Sequence, residues 1–145
     1  MRRVKMRLAE ITEDGINALL SFTLNQIFFS ELQDFRFHPL LNRKAYFSLK
    51  NTPLGISVTC HEKNDRHFLQ ASITNKARTN DVTITTNLLS YAKLLTKRTD
   101  PDTLFFQRKL TLEGDTELGH FIKNTLDSCE LELLFNRIIN PSRSK

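Results

Sequence analysis

The sequence predicts a two-layer α+β domain, a five-stranded sheet with helices covering one face. Three observations carry this reading. Five segments alternate apolar and polar residues with period two, the mark of half-buried strands. Their polar sides hold Thr, Ser, His and Glu, whereas a sheet buried on both faces reads as continuous apolar runs. Other segments repeat apolar residues at helical spacing and can cover the apolar side. A chain of 145 residues, 39% hydrophobic, is enough for one such domain with one core.

In chain order, Ile16, Leu19, Leu20, Leu24, Ile27, Phe28 and Leu32 recur at helical spacing. They predict a long amphipathic helix over residues 14–33, with Thr12 or Asp14 able to cap its start. His38-Pro39 blocks any continuation, because the residue before proline avoids the α region. The strands follow. Ala45–Leu49 places Ala45, Phe47 and Leu49 on one side. Leu54–His61 places Leu54, Ile56, Val58 and Cys60 opposite Gly55, Ser57, Thr59 and His61. Lys63-Asn64-Asp65 reads as a turn into His67–Ile73, with Leu69, Ala71 and Ile73 inward. Asp81–Thr86 and Lys109–Glu113 alternate in the same way. Between these two lie short helices. Asn87 can cap the first, which carries Leu88, Leu89, Tyr91, Leu94 and Leu95. Asp100 caps the second, with Pro101 at its first position, and this helix holds Leu104, Phe105 and Phe106. Asp115 or Thr116 caps a last helix whose stripe is Leu118, Phe121, Ile122, Thr125, Leu126, Cys129 and Leu133. The expected order is α-β-β-β-β-α-α-β-α.

Net charge is +5, which invites a nucleic-acid reading until the charge is located. Arg2, Arg3, Lys5 and Arg7 lie at one end, and Arg137, Arg143 and Lys145 at the other. Removing these seven from 21 basic residues leaves 14 against 16 acids, so the body stands at −2. The expected layout is a basic tail over 1–10, a folded domain over 11–135 and a basic tail over 136–145. Such tails suit loose attraction to an anionic membrane surface or partner, or are simply solvated, and no nucleic-acid partner is expected. Arg36, Arg43, Lys44 and Lys50 form a further basic stretch, with no acid from 35 to 61, at a hairpin rim or the mouth of a site. The longest uncharged run, Gly15–Ser30, is too short to span a bilayer. Glu10, Glu13 and Asp14 interrupt any signal-peptide pattern, so a cytoplasmic protein with reduced cysteines is expected.

No catalytic constellation stands out. His38, His61, His67 and His120 are scattered, and Cys60-His61 would put one ligand on each face of a strand. Asp100, Asp102, Glu113, Asp115 and Glu117 sit at helix starts and strand ends, where capping and turn formation account for them. Cys129 lies on an apolar stripe and reads as a core thiol. No metal, cofactor or enzymatic activity is expected. The conspicuous residue is Phe, with 11 copies and no Trp, which fits an ordinary core or an apolar cavity between the layers.

The stretch DPDTLFFQRKLTLEGDTELGHFIKNTLD, Asp100–Asp127, resembles the bacterial sterol-carrier-protein-2-like lipid carriers. It is most similar to those that serve as accessory factors in ubiquinone biosynthesis. A weaker likeness reaches back through Asp81–Thr86 to Leu19. The resemblance implies a hydrophobic tunnel between helices and sheet that holds a lipid without a catalytic residue. Its walls are expected from Phe105, Phe106, Leu118, Phe121, Ile122 and Leu126, with Phe22, Leu24 and Phe28 opposite. Arg108 and Lys109 are placed to meet a phospholipid or a ring carboxylate. The implied ligand is a prenylated quinone intermediate or a phospholipid. The implied partners are ubiquinone-pathway proteins, among them iron–sulfur hydroxylases of the peptidase-U32-like type on an oxygen-independent route. A full prenyl tail strains a domain about 15 Å in radius of gyration, so partial exposure or a homodimer completing the tunnel is expected. The alternative is a structural scaffold module of a biosynthetic complex, with a filled core and no lipid of its own.

Overall fold

The computed structural model describes residues 2–75 and 80–128. One mixed sheet has the strand order β3-β2-β1-β4-β5. The strands are β1 (Lys44–Leu49), β2 (Leu54–Lys63), β3 (Arg66–Asn75), β4 (Val82–Thr86) and β5 (Thr111–Gly114). All neighbours are antiparallel except β1 and β4, which run parallel. Each strand lies where the period-two pattern predicts one. Asn64 and Asp65, with φ of 53° and 60°, form the two-residue turn between the paired Lys63 and Arg66. Positive φ at both turn residues matches the twist of the flanking strands, and Asn and Asp tolerate it.

The helices are α1 (Arg2–Ile27), α2 (Phe29–Gln33), α3 (Leu88–Leu95), α4 (Pro101–Phe106) and α5 (Thr116–Ser128), with a 3₁₀ turn at His38–Leu40. Two boundaries differ from the reading of the sequence. Helix α1 starts at Arg2, so Thr12 and Asp14 are interior residues and Arg2, Arg3, Lys5 and Arg7 lie on its first turns. Residues 2–12 hold strong helix formers and neither Gly nor Pro, so a residue able to cap does not halt the helix there. The expected single helix to 33 is instead interrupted at Phe28, and α2 follows. The interruption lets the Phe28 ring meet Phe37 edge-on, with centroids 5.1 Å apart.

The caps follow the expected chemistry. Asn87 accepts from the Ser90 N–H, Asp100 from the Thr103 N–H and Asp115 from the Leu118 N–H, at 2.7, 2.7 and 2.8 Å. Each satisfies a donor that a helix start leaves unpaired. Expectations for Cys129, Leu133 and the basic residues 137–145 lie outside the described residues.

The main core fills the space between the helices and one sheet face, where Ala45, Val58, Cys60, Leu69, Ala71, Val82 and Ile84 are buried. The opposite face is less open than its polar composition suggests, because Tyr46, Ser48 and Ser57 are buried there. Tyr46 donates a hydrogen bond to the Thr74 carbonyl at 3.0 Å, and its ring occupies the space a side chain at Gly55 would need.

Helix α1 does more than cover the core. Asn17, Ser21 and Asn25 recur every four residues and face the open edge of β3. Asn25 accepts from the Leu69 N–H at 2.7 Å and donates to the Leu69 carbonyl at 2.8 Å. Ser21 accepts from the Ala71 N–H at 2.8 Å and donates to the Ala71 carbonyl at 3.2 Å. Asn17 accepts from the Ile73 N–H at 2.9 Å. Four helical residues advance about 6.0 Å and two strand residues about 6.7 Å, so the repeats nearly coincide. The helix runs antiparallel to β3 and pairs its edge as a neighbouring strand would.

Candidate apolar lipid site

The apolar face of the sheet is sealed at one end and open at the other. Along β2, Cys60 and Val58 are buried, Ile56 is half-buried and Leu54 is 50% exposed. Along β3, Leu69 and Ala71 are buried and Ile73 is 37% exposed. Along β1, Ala45 is buried while Phe47 and Leu49 are half-buried. Strand register aligns Ile73, Ile56 and Phe47 in one row across three strands. The next residue in that row, Ile84 on β4, is buried. The opening therefore lies over β1–β3, not over the half of the sheet under α3 and α5. Half-buried Leu20 of α1 packs against the same core. Apolar side chains on the inner face of a two-layer sheet are normally covered, so among the described residues this row is only partly covered.

Leu20 and Leu24 of α1, continued by Phe28 at its junction with α2, form a core-facing stripe four residues apart. At the other end of the α1–β3 seam lies a groove of about 850 Å³, lined in part by Phe29, Leu32, Phe35, His67 and Phe68. Phe35 meets His67 edge-on there, with centroids 4.7 Å apart.

The wall residues expected from the sequence divide into two groups. Leu118 and Ile122 are buried, and Leu24, Phe28, Phe121 and Leu126 pack partly buried against the same cluster. Phe37 joins Phe28 to Phe121, its ring edge-on to Phe121 at 5.5 Å. Phe22, Phe105 and Phe106 point outward and are 62%, 43% and 80% exposed. The row Phe47, Ile56 and Ile73 was read only as core. Its signal was an apolar alternation running on to Leu54, beside the turn at Thr52-Pro53, where a closed core should already have ended.

Several polar groups beside the core are held in ion pairs and caps. Arg43, read as part of a basic rim, pairs with Asp115 at 2.8 Å and Asp81 at 3.8 Å. The Leu118 N–H, and then Arg43, hold the Asp115 carboxyl below its usual range. Asp100 is lowered by hydrogen bonds from Thr103. Burial pushes the Cys60 thiol up to about 11, which leaves it neutral and a poor nucleophile. Among the described residues, no three His, Cys, Asp or Glu side chains come together as metal ligands. No described helix is long and apolar enough to cross a membrane.

The family model of the SCP-2 sterol transfer family matches residues 24–127. The chain belongs to the SCP-2 sterol transfer family. The SCP-2 match begins at Leu24 on the core stripe of α1 and ends in α5, so it contains the sheet and the opening. The ubiquinone biosynthesis accessory factor UbiT of Escherichia coli strain K12 is 48% identical over 52 residues, a segment spanning 36% of this chain and 30% of that relative. A UbiJ-SCP2 ubiquinone synthesis protein superposes with a TM-score of 0.56 at 16% identity, over 83% of this chain and 93% of that one. Sterol carrier protein 2 from Yarrowia lipolytica, in its apo form, gives 0.52 at 20% identity over the same shares. These two likenesses carry the SCP-2 fold alone.

Proposed function

We propose that the chain is a non-catalytic lipid carrier that takes up a prenylated quinone intermediate, or a phospholipid, and assists ubiquinone biosynthesis. The observation that carries this reading is the half-open apolar row Ile73–Ile56–Phe47, which runs from the edge strand β3 inward to β1. A tunnel entered there would follow the stripe Leu20, Leu24 and Phe28, with Phe121, Ile122 and Leu126 opposite and Leu118 at its base. Phe22, Phe105 and Phe106, which are exposed, would lie outside such a tunnel. Each methylene of a prenyl tail exposed to water costs about 0.8 kcal/mol, so such a tail does not travel unaccompanied. An apolar cleft removes that barrier and leaves the ring at its mouth.

The pathway rests on the UbiT segment. The finer role proposed is service to iron–sulfur, peptidase-U32-like hydroxylases on an oxygen-independent route, at the cytoplasmic face of the inner membrane. The test is titration of delipidated protein with a prenylated quinone and with a phospholipid, alongside native mass spectrometry of co-purified lipid. Saturable binding at micromolar concentration is expected for one of them. Ile56→Ser should weaken it about tenfold, the loss of one apolar contact. A folded protein that takes up neither lipid would be a scaffold module instead.

A further inference from the structure

We propose that the surface formed by α3 and α4 docks the chain on an anionic phospholipid bilayer. Helix α3 turns Ser90, Tyr91 and Leu94 inward, yet its outer side is also apolar. Leu88, Leu89 and Leu95 are 71%, 65% and 42% exposed, and Phe106 at the end of α4 is 80% exposed. Leu88, Ala92 and Leu95 follow helical spacing, so they form an outward stripe with no described side chain over it. Between the two helices lies a pocket of about 400 Å³ whose lining includes Lys93, Arg98 and Lys109 beside the hydroxyls of Ser90, Thr99 and Thr103. No carboxylate lines it. The neighbouring acids are engaged, Asp100 with Thr103 and Asp102 with Lys123 at 2.9 Å.

The helix ends add a second observation. Lys97 and Arg108 have φ of 58° and 62°. Each occupies the left-handed position after its helix, with the paired backbone hydrogen bonds of a Schellman ending. Glycine fits that position best, and a bulky side chain there is strained. Here the residues that follow Lys97 and Arg108, which are Arg98 and Lys109, line the basic pocket, while the Lys97 ammonium donates to the Asp127 carbonyl at 2.9 Å. A bilayer supplies what this surface lacks, phosphates for the pocket and hydrocarbon for Leu88, Leu95 and Phe106. A nucleic acid would offer the phosphates and leave the leucines in water. The proposal is independent of which lipid the core carries, and it places the membrane contact on the folded domain rather than on the basic ends.

The experiment is co-sedimentation of the full chain with phosphatidylglycerol–phosphatidylcholine vesicles and with pure phosphatidylcholine vesicles, at low and at high salt. Binding to the anionic vesicles, weakened by salt and nearly absent on neutral ones, is expected. Each basic residue at an anionic surface contributes about fivefold, so K93Q/R98Q should bind about 25-fold more weakly. L88S/F106S should bind at least about tenfold more weakly at unchanged charge. All four positions are outside the core, and circular dichroism checks that both variants keep the fold. Wild-type affinity in both double variants would overturn the proposal, as would equal binding to neutral vesicles or none to anionic ones. The quinone titration of the wild type is read separately, so either reading can fail while the other stands.

Discussion

At the scale of single residues, burial decides the chemistry. The Cys60 thiol is raised from 9.0 to about 11, chiefly by burial and further by Glu62, and burial also raises the Tyr91 hydroxyl. Below about pH 9 the thiol is neutral folded or unfolded, so it adds no pH dependence. Between pH 9 and 11 the unfolded thiol ionises while the folded one does not, so stability falls as pH rises. The unfolding free energy from urea titration should drop between about pH 8 and pH 10.5, by up to roughly 2 kcal/mol from this residue. Cys60→Ala should flatten that drop. In a Cys129→Ser background, Cys60 should resist a thiol reagent at about pH 8 until the protein is unfolded. Asp115 works in the opposite direction. Its carboxyl is held low by the Leu118 N–H and Arg43, so its support is present at neutral pH and is lost as pH falls through its lowered pKa. Asp115→Ala should lower Tm more than Asp115→Asn, which keeps a capping oxygen and loses only the ion pair.

At the scale of elements, the α1 ladder makes the sharpest prediction. Asn25→Ala leaves the Leu69 N–H and carbonyl without their partner. A loss of about 1–3 kcal/mol is expected, with hydrogen exchange accelerated first at Leu69 and Ala71. If exchange rises evenly across the sheet, the side chains are not the edge's partners. The strands were legible because alternation and turn residues are local. Asn64-Asp65 and the three caps were legible for the same reason. The ladder was not, although Asn17, Ser21 and Asn25 stand four apart in plain view. Polar residues at that spacing also describe a wet helix face, and only the position of β3 decides between them. The burial of Leu118 and Ile122 was legible, since helical spacing sets it, and their role as lipid walls belongs to the proposal. The exposure of Phe22, Phe105 and Phe106 was not legible, because composition does not say which side of a helix meets the sheet.

At the scale of the whole molecule, an open core should make stability depend on its contents. A ligand at about 100 times its Kd adds about 2.7 kcal/mol, which for a chain of this size is about 5–10 °C in Tm. Delipidated protein should gain such a shift with a prenylated quinone or a phospholipid, measured by scanning calorimetry. Ile56→Ser should gain less. Identical melting with and without lipid, at concentrations where binding is seen, would mean that the lipid sits on the surface.

Assembly is the other property set at this scale. A sheet grows wherever an edge offers unpaired backbone, and β3 is a ten-residue edge with Leu69, Ala71 and Ile73 at alternate positions. Three of its rungs are already occupied by α1, so a second copy cannot lengthen the sheet there, and any homodimer has to meet through another surface. The helix acts as a terminator in a polymerisation that never starts. Three small polar side chains, none of them lining the apolar opening, would then set how concentrated this protein can become before its sheets begin to recruit one another.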